Sequence, residues 1–350
     1  MKRYAKKSHR LLPVWLLSLL VILGGIPSTV FAEESCNPSN PHFRSPVFGL
    51  QDHIAEAMQV SVHIRTVNKT NFEPEEPVQI QPEHGASGAG FIFDEDPEQG
   101  FTYIATDYHV IEGTNRIHVV LADGRKFEGF EVGRDAWLDL TVLKIKVLGL
   151  PRARLGSSSS LVVGDWLFSI GSPHYLAFTA VHGMVSAFNR WETHADSIQT
   201  DMPIYSGASG GGVFNMCGEV VGKVESAIEH ASNLNFVTPS DSFKGVLEKL
   251  RKGEKVQHPY MGFDTEKGAP HNFDGPYTHV IVKVQKNFPA WKADLRVGDI
   301  VVSIDGAIPD TSDDISRIIS RHQPGDVLVF RINRNGNEFD VRVTLTSVPE

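Results

Sequence analysis

The chain has 350 residues, with 33 Lys+Arg against 42 Asp+Glu and a formal net charge of −9 at pH 7. That length calls for two or more domains, and the acidic balance speaks against nucleic acid or an anionic membrane as partner. Two cysteines are too few for a disulfide-stapled scaffold, although Cys36 and Cys217 can pair in an oxidising compartment, and the 15 histidines are scattered without metal-ligand spacing, so neither a metal nor another cofactor is expected.

Lys2, Arg3, Lys6, Lys7 and Arg10 precede an apolar run over 11–26, and Val30 and Ala32 suit a cleavage site after Ala32. The pattern predicts an export signal over 1–32. The alternative is a retained membrane anchor, for which the run falls short of the roughly 20 residues of a spanning helix. Cleavage leaves 28 Lys+Arg against 42 Asp+Glu, a net charge of −14. Residues 33–48 are polar and rich in Pro, Asn and Ser, and read as an extended arm.

A helix is expected near 49–58, a strand over 59–65 and an exposed loop over 66–86. Short β-branched and apolar runs follow at 89–94, 101–106, 116–121, 126–133 and 141–147, with Ala122-Asp123-Gly124-Arg125 as a hairpin signal between two of them. A second strand cluster covers 165–171, 178–188, 196–201, 211–215, 218–225 and 234–238. Residues 239–251 then read as a helix, with Phe243, Val246, Leu247 and Leu250 on one face. Two strand-rich halves suit two packed β-barrels. A charged linker at 252–256 leads to a further unit over 257–346.

Three residues in these runs suggest chemistry. Tyr103 to Thr106 form a short strand that runs into Asp107, Tyr108 and His109. Asp139 lies in a strand-like apolar run between Leu138 and Leu140. Ser209 has glycines at −2, +1 and +2, namely Gly207, Gly210 and Gly211. A serine hydroxyl needs a base to take its proton, and histidine titrates near neutral pH. A partly buried aspartate then holds the imidazole in one tautomer. Glycines permit a sharp turn, and the backbone N–H groups of Gly207 and Ser209 can converge on an oxyanion. Each residue alone also fits a surface turn, and spacing does not prove that the three meet.

Thr106-Asp107-Tyr108-His109-Val110, the run from Leu138 to Leu143 and Gly207-Ala208-Ser209-Gly210-Gly211 resemble the triad motifs of the HtrA/Deg serine proteases. The resemblance spans about 45–346 and includes Ile170-Gly171-Ser172-Pro173, Gly183-Met184-Val185, Gly218-Glu219-Val220-Val221-Gly222 and Thr238-Pro239-Ser240. It implies a mainly β fold: a trypsin-like double six-stranded β-barrel over 49–251, followed by one PDZ domain over 257–346. It also implies His109 as general base, Asp139 as its orienter and Ser209 as nucleophile, with Gly207 and Ser209 forming the oxyanion hole. The sequence departs from the family at Asp107 and Tyr108, where asparagines are usual, at Ala208, another usual asparagine, and at the extra Gly212.

Further expectations come with the resemblance. Pro203, six before the serine, and Ile204 are expected in the P1 pocket, favouring small or medium aliphatic residues, while Glu225 is placed to reach the pocket and favour a basic one. Tyr260, Met261, Gly262 and Phe263 resemble the PDZ loop that captures a peptide C-terminus. Ile315, Ile318 and Ile319 share a helix face there, with core packing as the plain account. Arg190 resembles a regulatory-loop arginine, or is a solvated loop charge. Phe43 and Phe48 are candidates for a homotrimer contact, or for packing of the arm on its own barrel. The expected substrates are unfolded or damaged exported proteins, in the periplasm or outside the cell, or at the inner membrane if the leader is retained. Two other readings remain: a signalling protease that cuts one partner after PDZ occupancy, and an inactive protease fold serving as a binding module.

Overall fold

A computed structural model describes residues 50–67, 86–173, 176–191, 196–227, 233–268, 278–309 and 312–348. The expected export segment, Cys36, Phe43 and Phe48 lie outside the described residues. Helix α1 (Leu50–Val60) leads into strand β1 (Ser61–Val67). Strands β2 (Ser87–Asp96), β3 (Phe101–Thr106), β4 (Arg116–Leu121), β5 (Lys126–Asp135) and β6 (Leu140–Ile145) complete a closed barrel in the order β1-β2-β3-β6-β5-β4. The short helix α2 (Tyr108–Ile111) follows β3.

The second barrel contains β8 (Trp166–Gly171), β9 (Thr179–Trp191), β10 (Asp196–Thr200), β11 (Gly212–Asn215), β12 (Glu219–Ala227) and β13 (Asn235–Pro239). Pairing of β11 with β12 closes it, and β7 (Arg154–Leu155) adds to β12 in parallel.

The apolar runs of β3 and β6 have a simple cause. Side chains alternate across a strand. Ile104, Leu143 and Ile145 fill the first barrel. Their neighbours Tyr103, Ala105, Leu140 and Val142 face outward onto a second cluster with Phe168, Ile170 and Phe214 of the second barrel. Both faces are therefore buried, and burying one such side chain is worth about 1.5–3 kcal/mol. Helix α3 (Ser240–Arg251) adds Phe243, Leu247 and Leu250 to that shared cluster. At its end Arg251 returns to Asp94 on β2 at 3.0 Å. The interior of the second barrel holds Leu167, Val185, Ile198, Val213, Val221 and Val237.

The C-terminal unit has a two-stranded sheet, β14 (Pro259–Tyr260) with β20 (Thr346–Ser347), and a five-stranded sheet. The latter runs β15 (Phe263–Gly268), β16 (Thr278–Val284), β17 (Ile300–Ile304), β18 (Val327–Arg334), β19 (Asn337–Thr344). Helices α4 (Pro289–Lys292) and α5 (Ser312–Ser320) accompany it. Ile315 is buried in its core, with Ile318 and Ile319 packed against it. Where the chain enters this unit, His258 Nε2 meets Asp135 Oδ2 at 2.6 Å, and its ring stacks on Trp137 at 5.8 Å. Among the described residues no helix is long and apolar enough to cross a membrane.

Candidate active site

Strand β3 ends at Thr106, and the chain turns through Asp107 into α2, which carries His109. Opposite lies the turn between β5 and β6. There Asp135 Oδ1 accepts the N–H groups of Trp137 and Leu138, at 3.0 and 3.3 Å. The next residue, Asp139, is held at φ +47°. A non-glycine residue in this region is uncommon, although aspartate tolerates it better than most. The conformation lets Asp139 satisfy one residue twice: Oδ1 accepts the His109 N–H at 2.8 Å, and Oδ2 meets His109 Nδ1 at 2.5 Å.

The Asp139 hydrogen bond raises the His109 pKa above the ordinary value. Burial would raise Asp139, but the His109 bond and the Lys223 charge outweigh it and hold the carboxyl below its usual range. A carboxylate only accepts, so Nδ1 carries the proton and Nε2 presents a lone pair away from Asp139.

Ser209 comes from the second barrel. Ala208 N donates to Tyr205 O at 3.0 Å in a turn whose third residue, Gly207, has φ +95°. Gly210, at φ +80°, follows the serine. A Cβ on Gly210 would lie 2.5 Å from Asp107 N and 2.7 Å from Ala89 O. The serine loop thus sits directly on the turn that leads to His109. Ser209 O accepts Ala89 N at 2.9 Å, and Gly210 N donates to Val224 O at 3.1 Å.

Among the described residues, the N–H groups of Gly207 and Ser209 donate to no protein acceptor, and Ser209 Oγ has no hydrogen-bond partner. The bond between Asp139 and His109 is therefore made, while none joins His109 to Ser209. Catalytic hydrogen bonds are often long before substrate binds.

A feature not foreseen from sequence lies behind His109. Lys223 Nζ donates to Asp107 Oδ1 at 2.6 Å, and both side chains are 0% exposed. Burial pushes the Asp107 carboxyl up to about 7, even beside Lys223. Burial works against the Lys223 charge too, but Asp107 and Asp139 hold its pKa above the usual value. Ligand atoms of Asp107, His109 and Asp139 lie within 4.8 Å of one another. Lys223 and the His109–Asp139 bond already occupy this group, which makes it a poor cation site. The available signal was a lysine inside the apolar run of β12.

Pro203 and Ile204 line a solvent-open depression with Val181, Tyr205, Ala208 and Val224. Glu225 is not among the lining residues. It is the extra residue where the β12–β13 register shifts, and its Oε2 accepts Ser197 Oγ at 2.7 Å and Thr238 Oγ1 at 3.2 Å. The strand therefore presents Val224, not the carboxylate, to the depression.

In the C-terminal unit Met261 is buried in the core, and Tyr260 packs edge-on against Phe288. Gly262 has φ +78°, and a Cβ there would lie 2.5 Å from Phe288 Cβ. Phe263 opens β15, the edge strand of its sheet, and packs on Phe330. Arg190 lies on β9.

Family models match residues 86–222 as a trypsin-like peptidase domain and 259–345 as a PDZ domain. Fold and matches together define a trypsin-like peptidase domain joined to a PDZ domain. A probable periplasmic serine endoprotease DegP-like from Halomonas elongata is 35% identical over 280 residues, covering 77% of this chain and 58% of the relative. The relative of the same name from Chlamydia muridarum is 34% identical, covering 77% and 56%. The chain thus spans just over half the length of the curated relatives it matches.

Among solved structures, the serine endoprotease from Yersinia pestis is 26% identical with a TM-score of 0.64, covering 85% of this chain and 98% of that one. The HtrA-type protease AlgW with decapeptide shares the fold at 24% identity and a TM-score of 0.69, covering 86% and 99%. The domain order found here is that of the HtrA-type proteases the chain is similar to.

Proposed function

We propose that this chain is an exported serine endopeptidase of HtrA/Deg type, working through His109, Asp139 and Ser209. The observation that carries the reading is the double hydrogen bond from Asp139 to His109, at 2.8 and 2.5 Å, facing the glycine-flanked Ser209. In the first step His109 Nε2 takes the hydroxyl proton as Oγ bonds to the substrate carbonyl carbon. The oxyanion that forms falls to the unpaired N–H groups of Gly207 and Ser209. Collapse breaks the peptide C–N bond, and His109 gives its proton to the departing amine. Water, deprotonated by the same imidazole, then releases the acyl group.

The apolar depression at Pro203, Ile204, Val181 and Val224 supports cleavage after small or medium aliphatic residues. The free edge of β15 supports capture of a peptide strand by the PDZ domain. The names of the periplasmic relatives support an envelope location and unfolded envelope proteins as substrates. A homotrimer through the arm is part of the same proposal.

The contact of His258 with Asp135 favours a second reading, in which PDZ occupancy regulates turnover, because it ties the entrance of the PDZ domain to the turn holding Asp139. A fluorophosphonate probe tests the main reading. Label on the native protein that is lost in Ser209→Ala supports it; no label on folded native protein refutes it.

A further inference from the structure

We infer that Asp107 and Lys223 form a positioning pair, which fixes the His109 turn against the second barrel and sets the electrostatic field in which His109 exchanges its proton. The inference rests on the protease reading above. The contact joins residues 116 apart in sequence, one from each barrel, at 2.6 Å and with neither side chain exposed. A buried ion pair is weak evidence for stability, since apolar residues of similar shape often serve as well or better. Its position two residues from the base is therefore the informative feature.

The groups facing His109 come from three directions. Asp139 comes from the β5–β6 turn, Asp107 from the residue two before His109, and Lys223 from β12. Glu225, two residues further along β12, acts on Lys223. The two carboxylates favour the imidazolium that forms when Ser209 yields its proton, and the ammonium opposes it. Among the described residues Asp107 Oδ2 has no hydrogen-bond partner, so Lys223 is the group that opposes protonation of this buried carboxyl. Neither residue touches the reacting atoms. They act through His109.

The test compares native protein, Asp107→Asn, Lys223→Met and the double variant, with kcat and KM followed across pH. Asp107→Asn leaves the ammonium alone behind the base, so the acid limb of kcat/KM moves down by about 1 pH unit. Its kcat falls while KM stays. The double variant carries neither charge, and its limb lies between those of Asp107→Asn and native protein. It also covers the case in which Lys223→Met, left with a lone buried carboxylate, does not fold. The same variants in a Ser209→Ala background, with labelled histidine, report the His109 titration by NMR without any turnover.

Parallel shifts in both measurements support the pair as a positioning device. A folded Asp107→Asn protein whose acid limb and His109 titration both stay at native values overturns it, as does a double variant whose limb coincides with that of Asp107→Asn. If native protein shows no Ser209-dependent hydrolysis, the protease reading fails, and the NMR series still decides whether the pair governs His109.

Discussion

Gly210→Ala tests how the serine loop is seated on the first barrel. The residue has φ +80°, where a Cβ costs about 1–2 kcal/mol. The added carbon would lie 2.4 Å from Thr106 Oγ1, 2.5 Å from Asp107 N and 2.7 Å from Ala89 O. Two of these atoms are backbone, so relief requires the loop or the end of β3 to move, and such overpacking costs about 1–3 kcal/mol. The expected loss is about 2–5 kcal/mol, a large part of typical domain stability. Displacing Ser209 from His109 by about 1 Å adds a loss of about 100-fold in kcat/KM.

Urea unfolding followed by tryptophan fluorescence gives the first number, and peptide hydrolysis the second. Gly100→Ala is the control: its φ is +78°, but nothing lies within 4 Å of the new carbon. It should lose only the conformational part, about 1–2 kcal/mol, and keep native turnover. Native stability and turnover in Gly210→Ala would refute the close seating of the two loops.

Four further outcomes are expected. Ser209→Ala should lose about 10⁴–10⁶ in peptide turnover with an unchanged unfolding midpoint, since one oxygen leaves a loop. The acid limb of kcat/KM should lie above the ordinary histidine value of 6.5, because Asp139 raises His109 and activity requires the neutral ring. For stability the sign is the reverse: the raised His109 contributes most below that ordinary value and less as pH rises through its folded pKa, whereas the lowered Asp139 contributes above the ordinary carboxylate value and loses its contribution as pH falls through its folded pKa. Gly245→Ala, in mid α3 with nothing within 4 Å, should stabilise by about 1 kcal/mol in the same urea assay. His258→Ala removes the Asp135 bond and the Trp137 stack, so limited proteolysis should cut faster within 252–257.

The two barrels were legible because each strand alternates its side chains over a short span. The same local signals placed α3 at Ser240–Arg251, close to the expected 239–251. His109, Asp139 and Ser209 stood out because a histidine after a strand, an aspartate within an apolar run and a glycine-flanked serine are each visible locally. What escaped was contact between distant residues. Lys223 reaches Asp107 across 116 positions, and His258 reaches Asp135 across 123. Nothing near either partner announces the other. Glu225 was misplaced for a different reason: the register shift on β12 sets it apart from the lining residue Val224, and the hydroxyls of Ser197 and Thr238 donate to its Oε2. A one-residue bulge leaves little trace in composition.

The division of the site between barrels also has a consequence in time. Translation runs from the N-terminus, so the segment that carries His109 and Asp139 is complete once β6, ending at Ile145, has been made. The nucleophile waits for a second barrel whose closure needs β13, ending at Pro239, to pair with both β10 and β12. At about 5–20 residues per second, the interval between residues 139 and 239 lasts roughly 5–20 s. A product truncated before residue 209 has neither Ser209 to set before His109 nor Lys223 to set beside Asp107. On the proposed mechanism such a piece carries a base and its orienter without a nucleophile. Only closure of the second barrel, through the pairing of β13 with β10 and β12, brings the two halves of the proposed triad together.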